Sequence, residues 1–423
     1  PFRNQSPDKA LSLFIEMKEG KHPEGSMVLR FKGNMSSSNM LMRDPVLYRI
    51  LKKPHHRTKD KWCIYPMYDW AHGQSDYIEE ISHSLCTLEF LPHRELYNEY
   101  LNFVYTKGTK PKQREFSRLN LSYTVTSKRK LQKLVENNFV EGWDDPRMPT
   151  ISGLRRRGYT PTALINFAKA VGVAKRDNVI DASFLEFCAR EDLNKKSRRV
   201  MVVLDPIKVI ITNYPENKNE TLLTENNPED SEAGEREIHF SKELFIERND
   251  FRETANRKFF RLKLGGEVRL KSAYIIKAQS LKKNDKGEID TVYCTYDPLS
   301  LSGSGTEESQ RKVKGTLHWV SQKKYVKIKV NQYDRLFTNP NPDSDKEQDF
   351  TKHINPHSLI TNNAFAEISL KKAERGTIFQ FQRQGYFICD KKSTDKIKIF
   401  NKTVSLRDTW TKNEARPKNS LHQ

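Results

Sequence analysis

The 423-residue chain carries 74 Lys and Arg against 54 Asp and Glu, a formal charge of +20, with 36% hydrophobic residues. That length suits roughly two to four domains, and the charge predicts an anionic partner: RNA, DNA or an acidic membrane surface. No apolar run approaches the roughly 18 residues of a membrane-spanning helix, so no membrane partner of that kind is expected.

The five cysteines (Cys63, Cys86, Cys188, Cys294, Cys389) are scattered and lack CxxC spacing. They predict reduced thiols in a cytoplasmic protein rather than a disulfide framework or a zinc site. The opening Pro1-Phe2-Arg3-Asn4-Gln5 has no apolar leader and no initiating Met, and it reads as the interior of a longer protein or a processed chain.

Taken in order, Ser6-Pro7-Asp8 starts a helix carrying Leu11, Phe14 and Ile15 and closing at Gly20. Val28 to Phe31 reads as a strand and Asp44 to Ile50 as a second short element. Trp62 to Trp70 reads as an apolar strand ending in a polar cluster with His72. Ser75 to Cys86 has helical periodicity through Ile78, Ile81 and Leu85, and Arg94 to Val104 predicts a further helix. Leu119 to Val125 reads as a strand that opens into a mobile Thr126-Ser127-Lys128-Arg129-Lys130 loop. Thr150 caps a basic helix with Arg155, Arg156 and Arg157 that ends at Gly158. Thr160-Pro161 begins another, which stops at Gly172.

Beyond Ser197 the period becomes two: 200–204, 209–211, 268–270, 274–276, 291–294 and 325–330 all read as strands. Many short strands with polar turns predict barrels. The acidic stretch 215–236 and the Gly/Ser segment 300–310 are expected as exposed loops, and the tail past Trp410 as disordered.

Two groups of residues carry chemistry. A loop with hydroxyls and cations at Thr126-Ser127-Lys128-Arg129 can neutralise a leaving pyrophosphate, although taken alone a Lys-rich loop is ordinarily a solvated surface. Tyr65-Pro66-Met67-Tyr68-Asp69, His83-Ser84-Leu85-Cys86-Thr87 and Gly142-Trp143-Asp144-Asp145-Pro146-Arg147 flank it. Alone, the first would be a buried strand with satisfied aromatic hydroxyls and Cys86 core filler. His55-His56 is discounted as a metal pair, having no Cys or acid at ligand spacing, and no metal site is expected.

Together these blocks resemble the second half of the glutaminyl-tRNA synthetase family of class I aminoacyl-tRNA synthetases, over about residues 1–410. Thr126 stands where the family's loop usually has Met. The resemblance implies a multidomain α/β plus all-β chain. An acceptor-stem-binding domain would cover 1–66 and the second half of a Rossmann catalytic domain 67–127. A helical stem-contact domain (128–196), a proximal β-barrel (197–236 with 317–411), a distal β-barrel (237–316) and a flexible tail (412–423) would follow.

The resemblance also implies roles. Lys128 is the main transition-state cation, supported by Arg129, with Ser127 and Thr126 ordering the phosphates; Arg118 and Leu119 join Ser127, Lys128 and Arg129 around ATP. Tyr68, His72, Ser84, Cys86, Phe90 and Gln113 line the glutamine pocket. Glutamyl relatives carry Arg where Cys86 stands, so a glutamate carboxylate would lack its cation here. For tRNA(Gln), Arg199 and Gln380 fall at the middle anticodon base, Arg261 at the third, and Lys258 with Arg269 at the first. Asn194 and Arg383 lie in the same frames, and Lys175 and Asn178 on the inner tRNA face. L-Glutamine, tRNA and ATP with Mg2+ are the implied partners of a monomer with no tightly bound cofactor. No His-Ile-Gly-His-like sequence occurs, so the chain is expected to be truncated at its N-terminus and unable alone to make adenylate. A glutamate-specific relative or a non-catalytic tRNA-binding fragment are the alternatives.

Overall fold

The structure, a computed structural model, describes residues 2–256, 258–345 and 347–407; the expected tail lies outside them. The chain forms two compact units, Pro1–Leu119 with Val173–Asn178, and Asn120–Gly172 with Val179–Gln423.

In the first unit, helix α1 (Pro7–Lys18) starts where Ser6 Oγ accepts the Lys9 N–H. Its Met17 packs on Ile50 and Ile64 of an antiparallel sheet made of β1 (Val28–Arg30), β2 (Val46–Ile50) and β3 (Ile64–Pro66). Helix α2 (Tyr68–Ile78) follows, then β4 (His83–Thr87), α3 (His93–Val104) and β5 (Lys112–Phe116). Strands β4 and β5 pair in parallel, Ser84 opposite Gln113 and Cys86 opposite Glu115, with α3 as the crossover that parallel pairing requires.

Two expectations fail here. Tyr68 and His72 stand on a helix, not a strand, because Pro66 closes β3 and Tyr68 opens α2. The expected helix over 75–86 is the end of that helix, a left-handed turn at Glu80 (φ 54°) and strand β4. Alternating Ser84 and Cys86 share the inner face while Leu85 points out, and the apolar periodicity had masked that alternation.

The second unit begins with a helical part: α4 (Lys128–Glu136), α5 (Ile151–Arg157), α6 (Pro161–Val171) and α7 (Ala182–Lys196). The caps of α5 and α6 fall as expected, Thr150 Oγ1 accepting the Gly153 N–H at 2.9 Å and Thr160 Oγ1 the Ala163 N–H at 3.1 Å. Gly158 ends α5 at φ 101°, and a Cβ there would strike Thr403. The segment expected as a mobile loop is ordered: Lys128, Arg129 and Lys130 are the first turn of α4, with Leu131 and Leu134 buried beneath.

Two seven-stranded sheets complete the unit. One runs Thr316–Leu317, Glu267–Leu270, Ile275–Lys283, Ile289–Tyr296, Pro206–Ile211, Glu243–Glu247, Val320–Ser321. Its two edge strands are joined in sequence by His318 and Trp319 alone, so the sheet closes on itself as a barrel and leaves no open edge. The other runs Arg198–Val200, Ile378–Phe381, Gly385–Cys389, Lys398–Val404, Tyr325–Tyr333, Leu359–Glu367, Val202–Val203, and Met201 closes it in the same way. Pro206–Ile211 thus pairs with Ile289–Tyr296 and Glu243–Glu247, so only the first strands of 197–236 enter the expected proximal barrel. The acidic stretch 215–236 is not a loop throughout: Glu220–Glu225 and Glu235–Phe240 form an antiparallel ladder. Segment 300–310 is also structured, with Ser300 fully buried and a short helix at Glu307–Gln310.

Candidate active site and nucleic-acid interface

In the first unit, Tyr68 and His72 lie one turn apart on α2, their rings 5.1 Å apart, and Phe90 sits 5.4 Å from the Tyr68 ring. His72 Nε2 is 3.0 Å from Ser84 Oγ and 3.1 Å from Asp76 Oδ2, which also accepts the Tyr97 hydroxyl at 2.8 Å. The structure thus brings Tyr68, His72, Ser84, Cys86, Phe90 and Gln113 together against the inner face of β4 and β5. Burial, and then the Glu115 charge, push the Cys86 thiol up, which keeps it neutral.

Sequence reasoning missed the polar support of this pocket. Gln113, 3% exposed, donates both amide hydrogens: Nε2 to the Phe90 carbonyl at 2.9 Å and to Glu115 Oε1 at 2.8 Å. Glu115 in turn accepts Arg94 on both oxygens. The hydrogen bond from Arg94 holds its carboxyl down at about 2, against the rise that burial alone would cause. The Gln-x-Glu alternation along β5 was the available signal. Arg118 and Leu119, expected beside the adenosine, are exposed, as is Lys175; Asn178 is exposed as well. The last two belong to the first unit and not to the helical segment.

In the second unit, Ser127 precedes α4 in extended geometry without a side-chain capping bond. The three cations of the motif differ in state. Lys130 Nζ pairs with Asp343 at 3.0 Å, whereas Lys128 and Arg129 are exposed and make no ion pair among the described residues. Thr126 is exposed beside them. A helix start with two uncommitted cations suits an oxyanion.

The expected anticodon readers separate into groups. Arg199 and Gln380 are direct neighbours, paired across parallel strands. Arg199 Nη2 donates to Asn194 Oδ1 at 3.3 Å, the Tyr386 hydroxyl donates to the same oxygen at 3.2 Å, and Gln380 Nε2 donates to Tyr386 at 2.9 Å. Arg261 and Arg383 converge on buried Asp250, which sequence reasoning did not identify. Lys258 is exposed. Arg269 departs from expectation: its guanidinium donates to Ser300 O at 2.8 Å, Ser302 Oγ at 3.2 Å and Ser309 O at 2.8 Å. It braces its own loop, and burial, then Arg311, lower its basicity.

Residues 1–195 match the family described as tRNA synthetases class I (E and Q), catalytic domain. Residues 197–297 and 316–390 match two anticodon-binding domains of the same class. A glutamine–tRNA ligase of Vibrio vulnificus (strain YJ016) is 52% identical over 417 residues, 98% of this chain and 74% of that protein. One from Rhodopirellula baltica is 54% identical over 419 residues, 99% of this chain and 69% of its own length. One from Proteus mirabilis is 51% identical over 412 residues, covering 97% and 73%. The chain belongs to the class I tRNA synthetases of the E and Q group, and it is an aminoacyl-tRNA ligase by that membership. No helix among the described residues is long and apolar enough to cross a membrane.

Proposed function

We propose that the protein ligates L-glutamine to the 3′ end of tRNA(Gln) through a glutaminyl-adenylate formed from ATP, which arrives with Mg2+, and that it works as a cytoplasmic monomer. Activation is an in-line attack of the amino-acid carboxylate on the α-phosphate, so the protein's part is positioning and charge stabilisation. Lys128 and Arg129 neutralise the departing pyrophosphate, with Thr126 and Ser127 beside them. Arg118 and Leu119 accompany the adenosine. Lys175 and Asn178 lie on the inner tRNA face, Asn194, Arg199, Lys258, Arg261, Gln380 and Arg383 face the anticodon, and Arg269 braces the loop beside them.

One observation carries the choice of amino acid. Arg94, the cation whose charge reaches Cys86, is held by Glu115, so a substrate carboxylate in this pocket meets a neutral thiol and hydroxyls. Leaving a charge unpaired in a partly dry site costs about 1–3 kcal/mol or more, which favours the amide.

The test is a titration at fixed salt against glutamine tRNA and a variant with the middle anticodon base changed. A loss of about 1–3 kcal/mol on the change is expected; equal binding overturns the assignment of Arg199 and Gln380.

A further inference from the structure

We propose that His318 is a base-contacting residue, its Nε2–H donating to an exocyclic carbonyl oxygen of an unstacked nucleobase. The proposal rests on the reading of the second unit as an anticodon-binding surface and adds to it a residue outside the expected set.

His318 stands where two cavities meet. One, about 340 Å3, is lined by Arg199, Gln380, Gln382, Lys271, Arg383 and His318. The other, about 330 Å3, is lined by Asp250, Arg261, Glu247, Gln384, Arg383 and His318. Both reach the lower end of the roughly 300–1,000 Å3 range of small-ligand clefts. Among the described residues they share only His318 and Arg383, which form the wall between them.

That wall is rigidly placed. His318 lies between Thr316–Leu317 and Val320–Ser321, the opposite edges of one sheet, so its backbone is fixed on both sides. The adjoining Trp319 is buried, its indole N–H donating to Lys271 O at 3.0 Å. Arg383 occupies the turn between Ile378–Phe381 and Gly385–Cys389 in a left-handed conformation, φ 68°. Such a conformation is costly for a residue with a side chain, and it persists where the surroundings over-determine it. Both terminal nitrogens of its guanidinium bond Asp250, Nη2 to Oδ1 at 2.7 Å.

The tautomer follows from donor chemistry. Arg383 Nη1 is 3.4 Å from His318 Nδ1. A guanidinium only donates, so Nδ1 accepts and the ring proton sits on Nε2. Among the described residues that N–H has no hydrogen-bond partner, although the residue is 1% exposed. Glu247 Oε1 is 3.5 Å away but already accepts the Leu204 N–H at 2.7 Å and the Gln384 amide at 2.9 Å. A buried donor left open in this way is unfavourable, and an incoming carbonyl oxygen satisfies it. Uracil, guanine and cytosine offer such an oxygen; adenine does not.

The probe is an anticodon stem–loop RNA with each loop base varied, bound to the whole chain at fixed salt. Wild type should prefer a carbonyl-bearing base over adenine by about tenfold at one of the anticodon positions. His318→Leu should reduce that ratio to about one. His318→Gln, which returns an amide N–H near the Nε2 position, should restore most of it. An unchanged ratio in His318→Leu overturns the proposal, as does equal weakening of every RNA by both variants, the mark of a purely structural role. Wild-type indifference to every anticodon base would instead sink the anticodon reading itself. Matching thermal melts of the variants establish that they fold.

Discussion

Arg94 and Glu115, 21 residues apart in sequence, form a two-pronged ion pair beside Gln113 and Cys86, Nε reaching Oε1 at 2.7 Å. The carboxylate is 1% exposed while the guanidinium is 37% exposed, so a buried acid is held by a cation with one open side. Because Oε1 also accepts the Gln113 amide, the same acid fixes which way that amide faces. The pair thus links strand pairing to pocket polarity.

Glu115→Gln should destabilise the first unit by about 2 kcal/mol. Removing one member of a buried pair costs about 3–5 kcal/mol, and the open side of Arg94 lets water recover part of it. Chemical denaturation at neutral pH measures the loss; a variant as stable as wild type would show that the pair contributes nothing net.

The same residue predicts an acid limb. Its carboxyl is lowered from 4.5 to about 2 in the folded chain. A depressed acid stabilises the fold above its unfolded value, and that stabilisation fades as pH falls from about 4.5 toward about 2. The stability gap between wild type and Glu115→Gln should therefore be full at pH 6 and shrink steadily below about pH 4.5. A gap that does not change between pH 6 and pH 3 would contradict the assignment.

Phe350→Ala should loosen the helix that carries Lys128 and Arg129. Phe350 packs with Leu131, Leu134 and Met148, and the ammonium groups of Lys130 and Lys133 lie 5.5 and 5.8 Å from its ring centre. Asp349 next to it, held down at about 2 by the Lys133 ammonium, adds a surface tie. Truncating a buried Phe costs about 3–5 kcal/mol. Hydrogen exchange over 128–136 should speed up while the strand Ile289–Tyr296 is unaffected. Unchanged exchange over 128–136 would show that α4 stands without this support.

What was legible in the sequence was local. Thr150, Thr160-Pro161, Gly158 and Gly172 mark helix ends because caps act within four residues of themselves. The start of α2 was not legible, since Met67 precedes it with no side-chain capping bond. The hairpin of Glu220–Glu225 with Glu235–Phe240 hid behind its acids: Glu225, Glu235 and Glu237 face solvent, while Glu220 lies on the inner face and accepts the Tyr274 hydroxyl. The blocks that carried the resemblance named side chains that the fold brings together on strands β4 and β5 and helix α2, but not Arg94 and Glu115 beside them. Nor did they name Asp250, whose partner Arg383 is 133 residues away. That contact joins a turn of one seven-stranded sheet to a turn of the other, and a two-residue period does not say which turns meet.

Arg269 tests that last point. The resemblance implies a base-reading position for it, but its donors are engaged by Ser300, Ser302 and Ser309. A lysine would keep the charge and lose the fork that reaches three acceptors at once. Arg269→Lys should therefore free the segment 300–311, seen as faster proteolysis there, and weaken RNA binding by a similar factor whatever the first anticodon base is. A residue that reads a base directly behaves otherwise: its loss removes about 1–3 kcal/mol of discrimination at one position and little elsewhere. Titrating the variant against stem–loops that differ at the first base separates the two. Loss confined to one base would return Arg269 to the readers, and uniform loss would make it the brace of the loop beside them.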